Sequence, residues 1–171
     1  MVKLRARCIL VGDAAVGKSA LSQMFRSDGA HFQKIYSMTA GVELLTKSVN
    51  VPNTSDSVVS LWGQPSVMCL VFDISSEASF SSCGRWLERV RAHCQGLQVP
   101  GVLVGNKSDL SSRREVETAT AQEWAQSQGM EYFETSAKEM ESCDAPFICL
   151  AQAFHTLYQD RLNTIQSIVS P

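Results

Sequence analysis

The sequence predicts an α/β fold of three layers built on a mostly parallel sheet, and three observations predict it. Residues 67–73 and 99–105 are continuously apolar runs of strand length, the pattern of strands buried on both faces. Stripes of helical period separate such runs, as at Phe80, Cys83, Trp86, Leu87 and Val90. A glycine-bounded turn, residues 12–19, follows the first apolar run and opens a helix. Strands alternating with helices imply a sheet covered on its faces by those helices. With 171 residues the chain is long enough for one domain with a full core, expected to span 1–171, and short for two.

In order along the chain, residues 3–11 read as one β-rich run. Residues 19–26 place Ala20, Leu21, Met24 and Phe25 on one helical face, and Ser27-Asp28-Gly29 ends that helix. Residues 30–39 have no period and read as a loop. Residues 41–51 alternate as a strand, closed by a turn at 52–56. A strand stub at 58–62 is broken by Gly63-Gln64-Pro65 before the apolar run 67–73. The Phe80–Val90 stripe and the 99–105 strand follow, the latter ending at Asn106. Residues 118–128 read as a helix, with Thr120 and Glu123 at capping-box spacing and Trp124 and Ala125 toward the core. Tyr132 and Phe133 form a short strand. The last helix, from about 144 to 163, aligns Phe147, Leu150, Ala151, Phe154, Leu157 and Tyr158, with Pro146 in its first turn.

Composition narrows the function. Hydrophobic content of 44% and a net charge of −2 describe an ordinary globular chain, with no basic footprint for nucleic acid or anionic membrane. The six cysteines, Cys8, Cys69, Cys83, Cys94, Cys143 and Cys149, have no C-x-x-C spacing and read as free thiols in a reducing compartment. No leader, membrane-spanning run, myristoylation glycine or prenylation cysteine is present, so no lipid anchor is expected.

The turn at 12–19 fits G-x-x-x-x-G-K-[ST], a phosphate cradle. Gly12 and Gly17 let backbone N–H groups turn inward around phosphate oxygens. Lys18 supplies a point charge at the β- and γ-phosphates, Ser19 a hydroxyl for Mg²⁺, and the helix its positive N-terminus. The candidate phosphate-binding residues are Gly12, Asp13, Ala14, Ala15, Val16, Gly17, Lys18, Ser19 and Ala20. Asn106-Lys107-Ser108-Asp109 sits where parallel sheets place ligands, at the carboxyl end of a strand. A carboxylate at Asp109 accepts both the ring N–H and the amino group on guanine's edge, a donor pair adenine lacks. The stem of Lys107 suits one face of the base. In Glu134-Thr135-Ser136-Ala137-Lys138, the Ala137 N–H suits the guanine carbonyl oxygen, flanked by Ser136 and Lys138.

In this order the three segments resemble the Ras-superfamily small GTPases, nearest the Rab branch, and so the P-loop NTPase fold. Val71-Phe72-Asp73, Ser79-Phe80, Trp86-Leu87 and Leu103 through Lys107 agree. Thr39-Ala40-Gly41-Val42-Glu43 is similar to the Rab pattern Thr-Ile-Gly-Val-Asp, which implies that Thr39 reaches Mg²⁺ when GTP is bound. The implied ligands are GTP or GDP with Mg²⁺, the metal held by Ser19 and Thr39. More narrowly, residues 25–34 and the end of the last helix resemble the Rab-like GTPases of the intraflagellar transport B complex. That implies a cytoplasmic and ciliary adaptor working as a heterodimer with a small β-sandwich protein.

The chain departs from the family between Gly41 and Asp73. No Asp-x-x-Gly occurs there, and about one strand plus one helix, roughly 17 residues, is missing. Ser60-Leu61-Trp62-Gly63 has serine where the pattern needs aspartate, and Gln64 lacks a helix to aim it. Parallel neighbours need a crossover of a dozen or more residues, so the stub is expected to pair antiparallel or cross the sheet edge, with one strand truncated and one helix absent. Loss of the metal-shell aspartate, the γ-phosphate-sensing glycine and the water-positioning glutamine implies little or no GTP hydrolysis. The rival readings are an active GTPase switch in vesicle or ciliary trafficking and an interaction module without nucleotide. Asp109 disfavours an ATP-using kinase.

Overall fold

The computed structural model describes residues 3–27, 47–54, 57–60 and 65–169. The elements are β1 (Lys3–Ala6), β2 (Cys8–Val11), α1 (Lys18–Arg26), β3 (Ser48–Asn50), β4 (Ser57–Ser60) and β5 (Val67–Asp73). They continue with α2 (Glu77–Ser81), α3 (Cys83–His93), β6 (Gly101–Asn106), a 3-10 helix (Ser108–Arg113), α4 (Thr118–Ser127), β7 (Glu131–Thr135) and α5 (Ala145–Val169). The main sheet has the order β2-β5-β6-β7, all parallel.

Period-two alternation divides β5 between two cores. Met68, Leu70 and Phe72 face one helical layer with Cys83, Leu87 and Val90 of α3 and Ala121 and Ala125 of α4. Val67, Cys69 and Val71 face the other, with Leu21 and Met24 of α1 and Phe147 and Leu150 of α5. Every residue of β5 is buried, which is why its sequence shows no polar alternation. The expected three-layer α/β architecture is therefore present. The six cysteines are free thiols, as their spacing suggested.

Several local expectations are corrected. The 3–11 run is two strands broken at Arg7, because each half pairs with a different neighbour. β1 pairs parallel with β4, Lys3 opposite Ser57 through Ala6 opposite Ser60. β2 pairs parallel with β5, Cys8 opposite Val67 through Val11 opposite Leu70. The stub thus pairs parallel with β1, and antiparallel only with β3. Stagger is the physical reason: β5 starts level with the residue where β4's partner strand has already ended, so no return run is needed. Arg7 marks the seam, its carbonyl accepting the Ser66 and Val67 N–H groups at 2.9 and 3.0 Å. Six residues separate β4 from β5, and four of them lie outside the described residues.

The Phe80–Val90 stripe is carried by two helices joined at Ser82, not one. A 3-10 helix, unpredicted, follows Lys107. The Thr120–Glu123 capping box does not form: α4 starts at Thr118 with Glu117 as its cap residue, so Thr120 lies inside the helix. The strand expected at 41–51 is described only as Ser48–Asn50, and α5 runs on past 163 to Val169.

A hydrogen-bonded cluster pins the segment before α4 onto β7. Both Arg114 Nη atoms donate to the two Glu134 carboxylate oxygens at 2.8 Å. Tyr132 Oη and Thr118 Oγ1 donate to Oε1 at 2.8 and 2.9 Å. The Arg114 guanidinium first, against burial, holds the Glu134 carboxyl below its ordinary value of 4.5. A carboxyl lowered by folding stabilises fully above that ordinary value and loses its contribution as pH falls through the lowered folded one. The melting-temperature gap between the wild type and Glu134→Gln is therefore expected to be widest at neutral pH and to close in acid. A gap independent of pH would refute this.

Candidate functional site

The parallel register brings the chemistry to one edge. Asp73, Asn106 and Thr135 lie side by side at the carboxyl ends of β5, β6 and β7, and the turn after β2 opens beside them. A Cβ on Gly12 would lie 2.0 Å from the Val71 carbonyl oxygen, so only glycine lets the turn cross β5. Ala15 and Gly17 have positive φ, 63° and 95°. Such left-handed residues bend a run of backbone N–H groups toward a common concave side. The helix α1 begins directly after, at Lys18.

Lys18 folds back over this turn, its Nζ donating to the Gly12 and Asp13 carbonyls at 2.9 and 2.5 Å. Burial keeps the ammonium below the usual lysine range, and the Asp13 carboxylate pulls the other way. Asp13 in turn accepts the Trp86 Nε1–H at 2.8 Å, which joins the turn to α3. Ser19 and Ala20 lie half-buried in the first turn of α1, and Ala14 is exposed at the tip.

Asn106 ties the turn to the other two segments. It is 2% exposed, donates from Nδ2 to the Val16 carbonyl at 2.9 Å and accepts the Thr135 hydroxyl at 3.0 Å. Lys107 adopts φ 65° and pairs its Nζ with Asp73 at 2.6 Å. Burial pushes the Asp73 carboxyl up, but Lys107 and the Ser75 hydroxyl and N–H outweigh it and hold the group low. Asp109 accepts the Ser136 hydroxyl at 2.6 Å and has Lys138 Nζ at 3.8 Å. Ser136 Oγ also accepts the Glu139 N–H, closing a tight turn around the buried Ala137.

Of the candidates, Gly12 through Ala20, Asn106, Lys107, Asp109, Ser136, Ala137 and Lys138 share this edge of the sheet. Thr39 and Gln64 lie outside the described residues. Sequence reasoning did not assign roles to Asp73, Trp86 or Thr135. Asp73 was legible only as a strand end, and Thr135 only as a member of the segment after the last strand. Trp86 read as a core residue, and it does pack against the α3 side of the core. Its one polar atom was the available signal, since a half-buried indole N–H needs an acceptor.

The residues fit a phosphate-bearing nucleotide. The turn excludes side chains at the two glycines and places one lysine ammonium over itself. About the sheet edge, the Asp109 carboxylate stands with hydroxyl and ammonium donors in a setting that accepts a paired donor edge.

A Ras family profile matches residues 7–63 and 58–156. The two matches meet at 58–63, within the interval that lacks Asp-x-x-Gly. The human intraflagellar transport protein 27 homolog is 51% identical over 185 residues, covering 98% of this chain and 100% of its own. This chain has 171 residues, so at least 14 positions of that relative have no counterpart here. Intraflagellar transport protein 27 of Chlamydomonas reinhardtii is 36% identical, covering 95% of this chain and 90% of its own. Human Ras-related protein Rab-30 is 32% identical, covering 96% and 86%.

Proposed function

This chain belongs to the Ras family, and on that footing we propose that it is a Rab-like guanine-nucleotide-binding subunit of intraflagellar transport. The bond from Asn106 to the Val16 carbonyl carries the reading, because it joins a phosphate-binding turn to a guanine-selecting one through a single buried side chain. Gly12 to Ala20 hold the phosphates, Lys18 exchanging its two backbone carbonyls for phosphate oxygens. Asp109 takes the guanine N–H pair, Ala137 the carbonyl oxygen, and Ser136 and Lys138 orient the carboxylate. Mg²⁺, held by Ser19 and Thr39, supplies charge neutralisation at the phosphates when bound.

The names of the relatives support a place in the cilium and flagellum as part of a transport complex. We infer a cytoplasmic pool as well, and a heterodimer with a small β-sandwich protein. GTP hydrolysis is proposed to be weak or absent, because the interval 41–73 supplies no Asp-x-x-Gly aspartate or glycine. Purified protein, denatured and analysed by chromatography, is expected to release close to one GDP or GTP per chain. Turnover is expected below about 10⁻⁴ s⁻¹, the slow intrinsic scale of complete relatives. ATP, or no nucleotide, would overturn the binding reading, and turnover sensitive to Lys18→Ala would overturn the inactive one.

A further inference from the structure

Beside the phosphate turn, a cavity of about 120 Å³ is lined by Asp13, Arg85, Trp86 and Arg89. Arg85 and Arg89 stand one helical turn apart on α3, both exposed. Arg85 Nη2 donates to the neutral Ser82 Oγ at 3.0 Å. The Arg89 guanidinium lies over the Trp86 ring at 5.2 Å. Among the described residues, neither guanidinium forms an ion pair with a carboxylate. Among the described residues lining the cavity the one carboxylate is Asp13, which accepts the Trp86 N–H and also lies in the field of Arg85. Glu88 is on the same helix but does not line the cavity. The cavity thus holds two fork-shaped cations against one engaged anion, within a chain of net charge −2.

We propose that this cavity is a docking site for an acidic segment of a partner protein. Each guanidinium presents parallel N–H donors that match a carboxylate, and stacking on Trp86 fixes one of them in place without consuming those donors. Two carboxylate side chains a helical turn apart, or alternating along an extended strand, satisfy both. Lysine-rich or neutral segments gain nothing from the site, so charge selects the partner.

The test uses the full chain and a twelve-residue peptide alternating glutamate and glycine, with its glutamine counterpart as control. The Trp86 indole N–H resonance, assigned by its loss in Trp86→Phe, is followed during titration. The glutamate peptide is expected to shift that resonance saturably and to bind several-fold more weakly when salt rises from about 50 to 300 mM. In Arg85→Gln/Arg89→Gln, two exposed positions whose melting temperature reports an intact fold, binding is expected to fall at least tenfold. Equal binding of the glutamine peptide, no shift at all, or undiminished binding to the folded double variant would each overturn the proposal. Response to phosphatidylserine vesicles with none to the peptide would overturn it in favour of a lipid surface.

Discussion

Asp109→Asn is expected to lose GDP by about 10²- to 10⁴-fold and to prefer xanthosine diphosphate. The carboxylate accepts two guanine donors, and hydrogen bonds to a charged group contribute about 1.5–3 kcal/mol each. Asparagine removes the charge from both bonds and turns one acceptor into a donor facing the amino group, a loss of roughly 3–6 kcal/mol, and each 1.4 kcal/mol is a factor of ten. Xanthine carries a carbonyl where guanine has its amino group, so an asparagine amide can donate where the aspartate accepted. The Ser136 bond to Oδ1 has an equivalent in asparagine's carbonyl oxygen, so the turn at 136–139 keeps its anchor. Competitive titration with guanosine, xanthosine and adenosine diphosphates checks this. A variant still preferring GDP would place the base elsewhere.

Gly17→Ala carries the other large effect, on stability and binding together. The new Cβ would lie 2.3 Å from Asn106 Nδ2, at a backbone φ of 95° that disfavours any side chain. Relief requires moving a residue 2% exposed, whose amide serves Val16 and whose carbonyl serves Thr135. Leaving one such buried group unpaired costs about 1–3 kcal/mol, and the strained backbone adds about 1 kcal/mol. Denaturant unfolding is expected to show a loss of about 2–4 kcal/mol, with GDP retention lost as well. Gly84→Ala is the control: its Cβ meets nothing within 4 Å, so no comparable loss is expected. Equal behaviour of the two variants would refute the account.

How much of this was legible in the sequence depended on whether the information was local. The apolar run of β5 and the glycine spacing of the turn after β2 are short-range signals, and the buried strand and the strand-to-helix turn they predict are both present. The pairing of β4 was not local. Its direction follows from where its partner strand ends, and a rule about crossover length assumes neighbours that overlap fully. The break at Ser82 was hidden because an apolar stripe keeps its spacing across a join whose backbone stays helical, φ −73° and ψ −17°. Thr120 and Glu123 matched a capping pattern by spacing alone, while Thr118 found its acceptor on β7 instead. Within the site, residue types were readable and the bridges were not. Nothing in the order of residues says that Asn106 reaches Val16 or that Trp86 reaches Asp13.

The seam at Arg7 has a consequence for the shortened segment. The patch of β1, β4 and β3 owns a small core of its own, Leu4, Ala6 and Val51 against Ala151 of α5. The segments at 12–20, 106–109 and 135–138 all spring from the other sheet, β2, β5, β6 and β7. The two cores nonetheless share α5, where Phe154 packs against both, so fraying of the minor patch reaches the four-stranded sheet through that helix.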